Sequence, residues 1–210
     1  MPAAFTLYGS FLSAPTYKVG LMLRLCGEAF DYRHVDLAKG QQKTPEFLAL
    51  NRYGQVPVLV HEKLTLCQSS SILLYLAELT GKFAAGDLEE RQRIGEWLFW
   101  AADRLEPGLF RSRFFERFAK PDPAVADYMR KAGEMGLGVL DGLLEGKRFL
   151  VGERPTIADI ALFGVLAHMG EAKFEIANWP QIQAWWERIV ALPGFALPYD
   201  LLPKFDKDGV

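Results

Sequence analysis

Ser13 is the first residue whose type and position could do chemistry. It follows a short apolar run and precedes an amphipathic stretch. Its hydroxyl therefore either caps a helix or donates a hydrogen bond to a ligand thiol. In the second interpretation, that hydrogen bond and the positive end of the helix dipole both favour the thiolate and lower the pKa of the sulfur. The motif by itself favours capping.

Gln68 and Ser69 lie where a β-rich run gives way to a helical pattern. Ser69 is predicted to cap that helix, whose first N–H groups suit a carboxylate. Gln68 is placed to hydrogen-bond an amino group or carboxylate beside it. Plain helix capping is the simpler interpretation of this pair.

Pro57 interrupts the β-rich run from Val56 to Val60. Proline lacks an N–H and is excluded from central strands, so it predicts an edge strand, a turn or a cis peptide at the start of a strand. With a cis peptide, the N–H and C=O of Val56 stay free to pair with another extended backbone.

Thr156 and Asp159 form a capping-box pattern just after Pro155. In such a box the Thr side chain caps the helix and the acidic side chain closes the box on the cap residue. We interpret both as structural, and losing the cap should cost roughly 1–2 kcal/mol.

The first 80 residues contain the elements that must position these motifs. Their order, β-α-β-α-β-β-α, predicts a parallel pair joined through a helix and a final antiparallel hairpin. The strands are predicted at 5–8, 30–36, 56–60 and 63–66, and the helices at 14–27, from Pro45, and at 69–80.

The second half of the chain has almost no strand signal. Residues 82–87 are the best candidate linker, and Pro107 should bend or interrupt a long helix at 88–118. Gly133, Gly136 and Gly138 either weaken the next helix, 123–145, or let another backbone pack closely. The predicted organisation is an α/β domain at 1–81, a linker at 82–87 and an all-α domain at 88–210.

Composition excludes several classes of protein. The 210 residues carry 24 Lys and Arg against 26 Asp and Glu, for a net charge of −2. This balance argues against general electrostatic binding of nucleic acid, which needs a basic surface. No apolar run is long enough to span a bilayer, and Met1–Ser10 does not resemble a secretory signal. Two cysteines, Cys26 and Cys67, form neither a disulfide framework nor a metal motif. We expect a cytoplasmic, metal-free protein with reduced thiols.

An ordered set of motifs along nearly the whole chain resembles the cytosolic glutathione transferase family. The set comprises Leu7-Tyr8, Ser13-Ala14-Pro15, Lys18-Val19, Val35-Asp36-Leu37, Pro45-Glu46-Phe47-Leu48, Leu50-Asn51, Gly54-Gln55-Val56-Pro57-Val58-Leu59, Gln68-Ser69, Phe149-Leu150-Val151-Gly152 and Pro155-Thr156-Ile157-Ala158-Asp159. Serine at position 13 is similar to the serine-type classes. The Ser-x-Pro spacing resembles the theta class and Gly-Gln-Val-Pro the phi class, in a bacterial-type member.

The resemblance implies a thioredoxin-like N-terminal domain that binds glutathione as cosubstrate, and an all-helical C-terminal domain. Ser13 would stabilise the glutathione thiolate. Val56, before a cis Pro57, would pair its backbone with the cysteinyl part of glutathione. The remaining glutathione contacts implied by the family positions are Gln68 and Ser69 at the γ-glutamyl group, Gln42 and Lys43 at the glycyl carboxylate, and Gln55.

The implied reaction is transfer of the glutathione sulfur to a small hydrophobic electrophile, without a metal. Phe110, Arg111, Phe114 and Phe115 are candidates for the acceptor pocket between the domains, although aromatic residues at helical spacing more often form core. The alternatives are a non-catalytic binding or regulatory protein, or a glutathione-dependent isomerase, dehalogenase or peroxidase.

The resemblance also implies a homodimer joined through the first two helices of the helical domain. Trp97, Trp100 and Asp103 would approach that interface, and Asp103 would reach the partner's ligand. We expect neither nucleic acid nor a membrane as partner.

Overall fold

The computed structural model describes residues 3–210, and its contacts group them into two compact units. One unit comprises residues 3–82 together with 192–210, and the other comprises residues 83–191. Met1 and Pro2, where the predicted first domain begins, lie outside the described residues. Among residues 3–210, none of the helices combines the length and the apolar character needed to cross a membrane.

A four-stranded mixed sheet forms the centre of the first unit, in the order β2-β1-β3-β4. β1 runs parallel to β2 and antiparallel to β3, which forms a hairpin with β4. This confirms the predicted β-α-β-α-β-β-α order. The strands are β1 (Phe5–Gly9), β2 (Phe30–His34), β3 (Val58–His61) and β4 (Leu64–Cys67).

Helices α1 (Ala14–Cys26) and α2 (Pro45–Leu50) lie between the strands, and α3 (Ser69–Thr80) follows β4. α1 ends at Gly27, whose φ of 73° is the left-handed conformation that glycine adopts without steric cost. Cys26, the last residue of this helix, is buried in the core. β3 begins at Val58 rather than Val56, because the register with β1 starts where Val58 faces Tyr8.

The second unit is helical, with α4 (Leu88–Trp100), α5 (Glu106–Arg117), α6 (Pro123–Leu144), α7 (Ile157–Leu166) and α8 (Pro180–Val190). A π-helical segment, Ala101–Leu105, separates α4 from α5. Pro107 lies in the first turn of α5, and its ring excludes the carbonyl four residues earlier, that of Asp103. The predicted interruption at Pro107 is therefore found within the preceding turn.

Gly108, Gly133 and Gly136 allow close packing within the second unit. A Cβ on Gly108 would lie 2.7 Å from the Cα of Gly133, and one on Gly136 would lie 3.2 Å from the carbonyl oxygen of Arg104. Gly138, in contrast, faces open space. The close-packing interpretation therefore holds for Gly133 and Gly136 and not for Gly138.

Residues 192–210 belong to a different unit from the one expected from the sequence. The sequence placed them in the helical domain at 88–210, whereas their contacts are with the first unit. They include a short helix, α9 (Pro198–Leu201), whose following residue Leu202 packs against Gly20 of α1. Lys207 then pairs with Tyr32 of β2. The helical pattern near Pro180–Leu192 did not predict that the following residues pack against α1 and β2. That packing depends on contacts with residues far away in the sequence.

Candidate functional site

One end of the sheet carries the segments that contain the predicted ligand-binding motifs. Tyr8 of β1 faces Val58 of β3, and Val58 faces Cys67 of β4. Ser13 follows the end of β1, Val56 and Pro57 precede β3, and Gln68 and Ser69 follow β4. Because neighbouring strands are about 4.8 Å apart, the three segments leave the sheet side by side.

Ser13 is the N-cap of α1. Its Oγ accepts a 3.2 Å hydrogen bond from the N–H of Thr16, and its own N–H donates to the carbonyl of Ser10 at 2.9 Å. A hydroxyl both accepts and donates, so the capping bond leaves the hydrogen of this hydroxyl unused. Within residues 3–210, no acceptor is assigned to that hydrogen. The capping and thiolate interpretations are therefore compatible in one side chain.

The loop before β3 contains a cis peptide between Val56 and Pro57, as the sequence suggested. Val56 is partly buried against the cluster of Val35, Phe47 and Val58, while Gln55 is exposed. Buried Asn51 shapes this loop from inside, because its Nδ2 donates to the carbonyl of Gln55 at 2.6 Å. Its Oδ1 also accepts a 3.0 Å hydrogen bond from the N–H of Tyr53. Sequence reasoning assigned Asn51 no role, although the residue belongs to the motif set.

The N-terminus of α3 differs from the prediction that Ser69 caps it. Gln68 is the cap residue and Ser69 is the first helical residue, because the carbonyl of Gln68 accepts the N–H of Ile72 at 3.0 Å. Gln68 makes no side-chain capping bond and has a φ of 69°. Such a left-handed backbone is strained for a residue with a Cβ, and strain of this kind concentrates at functional sites. The amide of Gln68 is therefore not used in capping.

Gln42 and Lys43 lie against the loop that carries Gln55. A Cβ on Gly54 would lie 2.8 Å from the Nζ of Lys43 and 3.0 Å from the carbonyl oxygen of Gln42. The Oε1 of Gln42 is buried, and the described part of the chain offers it no hydrogen-bond partner. Lys43 thus places a cation beside the loop.

Both cysteines are poor candidates for a reactive thiol. Burial raises the pKa of the Cys26 thiol and that of the Cys67 thiol. A raised pKa reduces the thiolate fraction at neutral pH, and the thiolate is the nucleophile. Across residues 3–210, no cluster of three or more His, Cys, Asp and Glu side chains is arranged to hold a metal ion.

The predicted acceptor-site residues all lie on α5 in the second unit. Arg111 is exposed, Phe114 is 43% exposed, and Phe110 and Phe115 are partly buried. The ring of Phe114 contacts that of Phe115, with centroids 6.2 Å apart, and that of Phe118 at 5.8 Å. This half-exposed aromatic cluster offers apolar surface.

The arginines beside this cluster divide into two kinds. Arg113 is buried, and its Nε lies 3.0 Å from Oε2 of Glu171. Arg117 pairs with the same carboxylate. The charge of Glu171 is therefore shared by two guanidinium groups, whereas Arg111 is exposed.

Thr156 and Asp159 form the predicted capping box at the start of α7. The Thr156 Oγ1 accepts the N–H of Ala158 at 3.3 Å, and Oδ2 of Asp159 accepts the N–H of Thr156 at 2.8 Å. Both residues are fully buried, which suits a structural role.

Comparison with known proteins links both units to one family. Residues 3–78 match the family model "Glutathione S-transferase, N-terminal domain", and residues 107–193 match "Glutathione S-transferase, C-terminal domain". "Disulfide-bond oxidoreductase YfcG" of Escherichia coli is 35% identical, over 86% of this chain and 89% of its own length.

Solved structures agree with the sequence matches. A glutathione S-transferase from Pseudomonas fluorescens superposes with a TM-score of 0.89 at 32% identity, covering 94% of this chain and all of the other. A glutathione transferase family member from the same species, solved with two glutathione bound, gives a TM-score of 0.85 at 28% identity, covering 92% and 91%.

Proposed function

Because the chain belongs to the glutathione S-transferase family, we propose that it transfers the sulfur of glutathione to a small hydrophobic electrophile, with Ser13 stabilising the thiolate. The observation that carries this proposal is the Ser13 hydroxyl. It sits at the N-terminus of a 13-residue helix, beside the loops that carry Val56 and Gln68. Its unused hydrogen is available to the sulfur.

Glutathione would bind at this end of the sheet through groups that match its chemistry. The backbone of Val56 would pair with the cysteinyl residue, and Gln68 and Ser69 would hold the γ-glutamyl group at the N-terminus of α3. Lys43 and Gln42 would meet the glycyl carboxylate, the first through its ammonium group, which lies beside the loop, and the second through its amide N–H groups. Gln55 adds an exposed amide on the same loop.

In the proposed step the thiolate attacks an electrophilic carbon, a C–S bond forms, and the bond to the leaving group breaks with its electron pair. Ser13 donates its hydrogen bond to the sulfur and takes no proton. The aromatic side chains Phe110, Phe114 and Phe115, with Arg111, would supply surface for the electrophile. Holding the two reactants together provides further rate enhancement.

Replacement of Ser13 tests the proposal. Ser13→Ala should raise the pH at which bound glutathione ionises, followed by thiolate absorbance, and lower turnover about tenfold or more against a panel of electrophiles. Ser13→Thr keeps a hydroxyl and should retain most activity, and removing the exposed hydroxyl in Thr65→Val should change nothing. Unchanged ionisation and turnover in Ser13→Ala would remove Ser13 from the mechanism.

Disulfide reduction is a second candidate, favoured by the relative named as a disulfide-bond oxidoreductase and by the related structure with two glutathione bound. Two glutathione thiols would reduce one disulfide, giving glutathione disulfide and two free thiols, and no protein cysteine would be needed. A small symmetric disulfide added to the panel measures this activity. Isomerase, dehalogenase and peroxidase substrates belong on the same panel, and failure to bind millimolar glutathione would instead favour a non-catalytic protein.

We also propose that the protein is a homodimer joined through the helical unit. Exposed apolar side chains lie on α4 and α6, which is typical of an interface: Phe99, Tyr128, Met135, Val139 and Leu143. Trp100 is partly buried, and Trp97 is tied within its own unit by a 3.2 Å hydrogen bond from Nε1 to the carbonyl of Leu150. Asp103 is exposed. Sedimentation should give a dimer at micromolar concentration and a monomer for Phe99→Asp.

A further inference from the structure

The last residues of the chain cover the outer edge of the sheet. β2 is an edge strand, and Tyr32 exchanges two backbone hydrogen bonds with Lys207, at 2.7 and 2.9 Å. Side chains reinforce this pairing, since Asp206 accepts the N–H of His34 at 2.8 Å and Asp208 pairs with Arg33 at 2.7 Å. We call residues 196–210 the C-terminal tail.

The C-terminal tail is also fixed to α1. The Tyr17 hydroxyl donates a 2.8 Å hydrogen bond to the carbonyl of Ala196, and Tyr17 is fully buried. A Cβ on Gly20 would lie 3.2 Å from Cδ2 of Leu202, so the tail packs tightly against this helix. The tail is therefore held both by α1 and by the edge of β2.

Between these two attachments, tail side chains hold Phe11. The Nζ of Lys204 lies 5.3 Å from the centroid of the Phe11 ring, within the range of a cation–π interaction. The ring of Tyr199 lies 6.3 Å from that of Phe11, and the ring of His34 lies 5.7 Å away. Phe11 is thus contacted by two side chains of the tail and by one at the end of β2.

Phe11 belongs to the turn that sets the position of Ser13. The N–H of Ser13 donates to the carbonyl of Ser10 at 2.9 Å, which places Phe11 inside a closed turn. Gly9 precedes this turn, and its carbonyl is held in place because it accepts a 3.0 Å hydrogen bond from the Tyr32 hydroxyl. Phe11 therefore lies in the turn that leads directly into Ser13.

We propose that Tyr199 and Lys204 are positioning residues, which act through Phe11 to set the turn that carries Ser13. This inference rests on the proposed function, in which Ser13 donates to the glutathione sulfur. Displacements of about 1 Å at a reacting group are enough to lower rates substantially. The tail would thus affect turnover without touching glutathione.

The test combines one double variant with two matched controls. Tyr199→Ala with Lys204→Ala removes both contacts of the tail to Phe11 and leaves that of His34. Tyr199→Phe with Lys204 intact retains an aromatic ring and should behave as the parent. Phe205→Ala removes a neighbouring tail side chain that is 66% exposed, and should have no effect.

Amide hydrogen exchange provides a readout that does not depend on glutathione. In the double variant, exchange at residues 10–13 should accelerate about tenfold, while the amides of α6 keep their protection. Exchange in the turn that matches the parent would overturn the inference, whatever the protein's activity. General acceleration in both units would also overturn it, because it would mean that the tail contributes only stability.

Turnover provides the second readout. The double variant should lower kcat about fivefold and raise the ionisation pH of bound glutathione, with KM changing less than twofold. A rise in KM with kcat unchanged would contradict the positioning role. Ser13→Ala separates the two hypotheses: if it has no effect, the proposed function fails, and if it alone has an effect, only the tail inference fails.

Discussion

The indole N–H of Trp185 donates a 2.9 Å hydrogen bond to Oδ1 of Asp159, and both side chains are fully buried. Oδ1 also accepts the N–H of Leu150 at 2.9 Å. Oδ2 accepts the N–H of Thr156 at 2.8 Å and its hydroxyl at 3.2 Å. Burial raises the pKa of Asp159, and these four hydrogen bonds oppose that shift. Asp159 therefore joins α7 to α8 and to the segment before α7, beyond its role in the capping box.

Asp159→Ala should lower the free energy of unfolding by about 3 kcal/mol or more, because it leaves several buried donors without an acceptor. This exceeds the roughly 1–2 kcal/mol expected from the loss of a cap. Urea unfolding provides the measurement. Asp127→Ala, which removes an exposed carboxylate paired with Lys131, is the control and should cost little. A loss no larger than the control's would refute a structural role for Asp159.

His168 should make stability depend on pH below neutrality. Burial, followed by the charge of Arg113, lowers the pKa of His168 from 6.5 to about 4, while Glu171 acts in the opposite direction. Between pH 6.5 and 4 the unfolded chain binds a proton that the folded chain does not, so stability falls as the pH falls. At pH 5 the loss should be about 2 kcal/mol relative to neutral pH.

Substitution of His168→Gln isolates this effect. The variant should lose that part of the pH dependence, measured as the change in urea midpoint between pH 7 and pH 5. Glu171, Arg113 and Arg117 stay in place, so their contributions remain in both proteins. Equal changes in midpoint for the parent and the variant would contradict the assignment.

Gly108 and Gly138 should respond in opposite directions to the same substitution. Gly108→Ala forces a Cβ against the backbone of Gly133, and should cost about 2 kcal/mol through overpacking. Gly138→Ala adds a methyl group in open space within α6, and should raise stability by about 0.5–1 kcal/mol through helix propensity. Thermal melts of both variants measure the difference. A destabilised Gly138→Ala would mean that this face of α6 is covered in solution.

Gln68→Gly separates the side chain of Gln68 from its backbone. Glycine adopts the φ of 69° without strain, so the variant should unfold no more easily than the parent. Loss of the amide should weaken glutathione binding about tenfold, measured by calorimetry. Glu62→Gly is the matched control, since Glu62 has a φ of 52° in the exposed hairpin turn and should affect binding not at all. Full affinity in Gln68→Gly would exclude Gln68 from the glutathione site.

The local pattern of the sequence was sufficient for most of the secondary structure. The periodicity of α1 and its stop at Gly27, the interruption near Pro107 and the capping box at Thr156 each depend on neighbours within one or two helical turns. The proline at position 57 left an edge strand, a turn and a cis peptide open, the family resemblance implied the cis peptide, and the structure contains it. The predicted cap of α3 was wrong by one residue. The carbonyl of Gln68, and not that of Ser69, accepts the first N–H of the helix.

The sequence by itself thus determined the order of the elements and the residue types that stand at their ends. Tertiary structure alone decided which ends meet: Tyr8, Val58 and Cys67 align through strand register, and Lys207 returns to pair with Tyr32. It also decided that Arg113 is buried against Glu171. The physical reason is that register, packing and burial depend on residues tens to hundreds of positions apart, whereas periodicity and capping are encoded within a few.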